Sequence, residues 1–137
     1  MQVVNTPEKE AQMMQQPAVQ LNREEMLVSL YDAAIRHTED AMSQIASGQY
    51  KPEELFSLGK AYAIVEQLIK SLDFTRAPDL CKDLNALYES MLFQMHEAYN
   101  FMNGEPLIPV VHALNELRDT WVEAIEIARG NSIVRKA

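Results

Sequence analysis

"LVSLYDAAIRHTEDAM", residues 27–42, reads as a helix with an unusually wide apolar side. At 100° per residue, Leu27, Val28, Leu30, Tyr31, Ala34, Ile35, Ala41 and Met42 fall within an arc of roughly 160°. Ser29, Asp32, Arg36, His37, Glu39, Asp40 and Ser43 take the remainder. A helix in a small bundle needs only about three positions in seven for its own core. Leu27, Leu30, Ala34, Ala41 and Ile45 suffice for that seam. Val28, Tyr31, Ile35 and Met42 lie on its flank. The flank either completes a broad core or borders a groove for a partner.

The helical pattern extends in both directions from this stretch. Asn22 is placed to cap the helix, with Glu25 at the capping-box position and Leu21 and Met26 spaced as a hydrophobic staple. The pattern runs over about 22–47, and Gly48 suits the left-handed residue that ends a helix. Pro52 opens a second helix over about 52–73, striped by Leu55, Leu58, Tyr62, Val65, Ile69 and Leu72. "DFTRAP" is the connection. Pro78 opens a third helix over about 78–103, closed by Asn103 and Gly104. Pro106 opens a fourth over about 106–129, with Pro109 still in its first turn and Gly130 after it. No stretch alternates with the period of a strand. Short links between long helices favour antiparallel neighbours, so the expected fold is all-α, an antiparallel up-down four-helix bundle over 22–130. Residues 1–21, rich in Gln and Met, read as a mobile or partly helical arm, and 131–137 as a tail.

The totals bound the function. A chain of 137 residues, 47% hydrophobic and 23% charged, supports one domain with a real core. A net charge of −8 argues against nucleic acid or anionic lipid as a partner held by a basic patch. The single cysteine, Cys81, excludes an internal disulfide and lies near a core face, where an inert thiol is expected. No apolar run reaches the ~18 residues of a membrane span, and no secretory signal pattern is present. A cytoplasmic location follows as an expectation.

A search for chemistry finds no starting residue. The Glu-x-x-His pairs of di-metal bundles are absent, because Ala34, Phe93 and Pro109 stand three residues before His37, His96 and His112. His112 and Glu116 share an i,i+4 spacing, which suits a surface pair. "HALNE" at 112–116 supplies the His and Leu of a phosphotransfer helix but neither its Lys nor its Gly. There is no phosphate loop and no nucleophile elbow. No catalytic role, cofactor or metal is assigned, and a phosphotransfer bundle using His112 stands as the alternative function.

Four stretches in order, "LYDAAI" at 30–35, "SLDF" at 71–74, "LNALYESM" at 84–91 and "LRDTW" at 117–121, together resemble the flagellin-specific export chaperones of the FliS family. The resemblance covers about residues 22–126. Ala33 stands where that family often has Gly, and Asp83 where it often has Asn. The resemblance implies a cytoplasmic chaperone without catalysis. It binds the C-terminal segment of flagellin as helices in apolar grooves, prevents premature polymerisation and presents the guest to the flagellar type III export gate. It also implies that the chaperone's own N-terminal arm can occupy part of that surface.

Helix-in-groove binding needs anchors at i, i+3, i+4 and i+7. The expected partner-binding residues are therefore the flank Val28, Tyr31, Ile35 and Met42, with Phe56 and Ile64 from the second helix and Met102 at the end of the third. Phe93 and Phe101 also fall off the best seams. Eight methionines fit an adaptable surface, although Met91 and Met95 sit in a core stripe. Trp121 is expected to anchor the core, and Asp73 to cap or pair in its loop with Arg76.

Overall fold

The structure is a computed structural model that describes residues 23–136, with side chains for 23–130. The Asn22 cap, the Leu21 staple and the arm lie outside the described residues. Helix α1 spans Arg23–Ser47 and stops where expected. Gly48 takes a left-handed φ of 69°, and its N–H reaches the Ile45 carbonyl at 3.2 Å.

The second helical segment is divided. Pro52–Glu54 forms one turn of 3-10 helix, and α2 proper spans Phe56–Lys70. The Glu54 carboxylate accepts the Lys51 N–H at 2.8 Å, which closes the short turn on itself. Leu55, at φ −82° and ψ 63°, breaks the helical run and drives its side chain into the core, leaving it 5% exposed. At the other end the Ser71 hydroxyl donates to the Leu68 carbonyl at 2.7 Å. Asp73 then accepts both the N–H and the hydroxyl of Thr75 and sits 4.0 Å from Arg76. It serves the loop, as the sequence suggested, so the helix ends three residues short of it.

Helix α3 spans Pro78–Phe101. Its left-handed terminal residue is Met102, at φ 46°, rather than Gly104, and the Asn103 N–H returns to the Ala98 carbonyl at 3.1 Å. Helix α4 spans Leu107–Lys136 and passes straight through Gly130. A glycine inside a helix costs about 1 kcal/mol relative to alanine but does not compel a stop.

Each helix runs antiparallel to the next. The ring closes as α1–α2–α3–α4, with α4 returning to α1. The bundle is an all-helical four-helix bundle, as the periodicity predicted. Ala34 and Ala41 of α1 and Ala61 of α2 are wholly buried and let α1 and α2 pack closely. Leu58, Val65 and Leu68 meet Tyr88, Met91 and Met95 of α3 and Leu107, Val110 and Leu114 of α4 in one continuous core. Cys81 is buried, with its thiol 3.3 Å from the Asp73 carbonyl, a structural position. With 15 residues α2 is much the shortest of the four helices.

Candidate functional site

The wide face of α1 is mostly answered from within the molecule. Tyr31 is wholly enclosed. Its hydroxyl bonds that of Tyr88, itself 2% exposed, and accepts the Trp121 indole N–H at 3.1 Å. Burial raises the pKa of both phenols, and for Tyr88 the bond to Tyr31 raises it further. Both therefore stay neutral and act as hydrogen-bonding groups. One helical position further, Asp32 accepts from Arg118 across the α1–α4 seam. Arg129 and Glu24 meet at 3.5 Å near the end of that seam. Three of the four stretches that carried the family resemblance thus converge on a polar lock joining α1, α3 and α4.

The other residues expected to meet a partner divide by exposure. Ile35, Met42, Ile64 and Met102 are partly buried and pack against the core cluster. Val28 lines a cleft of about 300 Å³ between α1 and α4, facing Val122 and Ile125. Phe56 projects into solvent, 69% exposed. Phe93 and Phe101 are exposed as well, at 61% and 71%.

A second concavity was not read from the sequence. Between α2 and α3, Leu55, Leu58, Gly59, Tyr62, Met95, His96 and Tyr99 line a groove of about 340 Å³. The Tyr62 hydroxyl and His96 Nε2 lie 3.1 Å apart, and their rings meet edge to face at 5.1 Å between centroids. Tyr99, which lines the groove, is 42% exposed, and the exposed Phe56 and Phe93 stand one helical turn before Gly59 and His96 of its lining. Tyr62 and Met95 had been placed in core stripes. Their stripe positions were right, but the spacing between the helices at this end leaves an opening above them. Gly59 inside a helical pattern was the available signal.

Among the described residues no group of three or more His, Cys, Asp and Glu side chains could hold a metal ion. His112 is exposed and lies 3.3 Å from the Glu116 carboxylate, a surface pair. A carboxylate so close would repel an incoming phosphoryl group. His37 is half-buried, and burial together with Arg36 and Lys60 lowers its pKa, with Asp40 opposing. Among the described residues no helix is long and apolar enough to cross a membrane.

A helical bundle with apolar grooves on its surface has the form that helix-in-groove recognition uses. The chain matches the family model described as flagellar protein FliS over residues 6–128, and it belongs to that family of flagellar export chaperones. A comparison with curated proteins finds no match.

Proposed function

We propose that this protein is a cytoplasmic chaperone that holds the C-terminal helical segment of flagellin, keeps it from polymerising and hands it to the flagellar type III export gate. The observation that carries this reading is the α2–α3 groove with its exposed aromatic edge, on a bundle of the FliS family. Flagellin's terminal segments polymerise by packing helices together, so a chaperone must offer a substitute apolar face.

Phe56 at the groove edge and Val28 in the α1–α4 cleft are the principal contacts in this reading. Ile35, Met42, Ile64 and Met102 add their exposed edges, and Tyr31 supports the surface from beneath. The guest spans both concavities, as an extended helical segment wrapping a bundle would. No catalytic step, cofactor or metal enters the function.

The test is a polymerisation assay. Purified flagellin is seeded with filament fragments, and growth is followed by light scattering. An equimolar amount of this protein is expected to suppress growth, and the Phe56→Asp variant to lose most of that effect while remaining folded. Unchanged growth in the presence of the wild-type protein would refute the proposal.

A further inference from the structure

The α2–α3 groove contains one residue that the fold itself does not explain. Gly59 lies in the first turn of α2, with its N–H bonded to the Leu55 carbonyl at 3.3 Å. Its φ is not positive, so no left-handed turn requires glycine there. A Cβ built on it meets no heavy atom within 4 Å, so no neighbouring helix requires the missing side chain. Alanine at this position would improve helix propensity and clash with nothing. Yet Gly59 lines the groove directly, between Leu58 and Tyr62 on its own helix and opposite His96 and Tyr99.

A glycine that weakens its helix without serving the internal packing makes sense when another backbone must come close. Two helices approach to about 8–10 Å according to the side chains at their contact, and small residues allow the closest approach. We infer that Gly59 is a specificity-determining residue, the clearance point at which the guest helix crosses α2 in close backbone contact. The guest would then present a small or flat side chain at the crossing and insert its larger apolar residues on either side, toward the Phe56 and Tyr99 rings. The inference rests on the flagellin reading above and adds the point of closest contact.

The same open space makes the test clean. A Cβ at position 59 meets no heavy atom within 4 Å, and the longer side chain of Gly59→Leu has the open groove to enter, so the full chain should fold with a Tm close to wild type. Gly59→Ala should raise Tm by about 2–4 °C. Gly130, also open and on α4, supplies the stability control: Gly130→Ala should raise Tm in the same way. Affinity is measured by calorimetry with a synthetic peptide of the flagellin C-terminal segment. The expected result is a loss of about threefold for Gly59→Ala and more than tenfold for Gly59→Leu. Wild-type affinity, or tighter, in Gly59→Leu would overturn the role of Gly59 and leave the chaperone reading standing. Failure of the wild-type chain to bind the peptide would overturn both.

Discussion

The Tyr31 hydroxyl is the centre of a buried hydrogen-bonded chain, with Tyr88 on one side and the Trp121 indole on the other. Removing the centre strands two buried groups, whereas removing Tyr88's hydroxyl strands one, and each unsatisfied group costs about 1–3 kcal/mol. Tyr31→Phe should therefore destabilise by roughly 2–4 kcal/mol and Tyr88→Phe by about 1–2 kcal/mol in urea unfolding. Equal losses would mean that the chain is not organised around Tyr31. The helical wheel placed Tyr31 on the flank of the α1 stripe, among the expected partner-binding residues, whereas the structure encloses it completely. Its partners lie 57 and 90 residues away in sequence, and no local periodicity reports on them. His37 offers a second test. Its pKa is lowered below the ordinary 6.5, so the unfolded chain binds the proton more readily than the folded one. Its effect on stability should be absent above that value and should appear as a loss as pH falls through it, complete once the folded pKa is passed. Thermal unfolding between pH 7.5 and 5 should show less acid destabilisation in His37→Gln than in wild type, and parallel curves would contradict the assignment.

Two adjacent residues at the head of α2 show how an element divides its labour. Leu55 is 5% exposed and Phe56 is 69% exposed, because the break at Leu55 turns one side chain into the core and the next into water. Leu55→Ala should cost roughly 2–4 kcal/mol. Phe56→Ala should change stability by less than about 0.5 kcal/mol and weaken guest binding severalfold. Denaturant curves and peptide titration on the same two variants separate these effects, and a reversed pattern would place the groove elsewhere. The helices themselves were legible because proline and glycine punctuate this chain well: Gly48 and Pro78 mark real boundaries. The misses have local causes. Hydrogen bonds around Lys51 and Glu54 split off the 3-10 turn, the third helix expected to be closed by Asn103 and Gly104 ends earlier with Met102 in the left-handed region, and Gly130 had no geometry forcing a stop.

At the scale of the whole molecule, the motifs that resembled a known family prove to be largely the parts that hold the bundle together. Tyr31, Asp32, Tyr88, Arg118 and Trp121 come from three separated stretches and meet in one lock. The residues that identified the family thus hold the fold, although the fold itself was read from periodicity and from proline and glycine punctuation. The groove was not, because amphipathic spacing says which side chains face inward and not how far apart two helices stand. Its residues Leu55, Leu58, Tyr62 and Met95 look like core in sequence, and only the packing of α2 against α3 leaves them beside open space. The wide face of α1 met its own partners over most of its length, so the guest is expected chiefly at α2–α3 and at the Val28 cleft. The most direct measurement is calorimetric titration of the protein with the flagellin C-terminal segment at several temperatures. The account predicts a one-to-one complex with a negative heat-capacity change, the mark of apolar surface leaving water. A stable, folded protein that shows no binding at any temperature would contradict it.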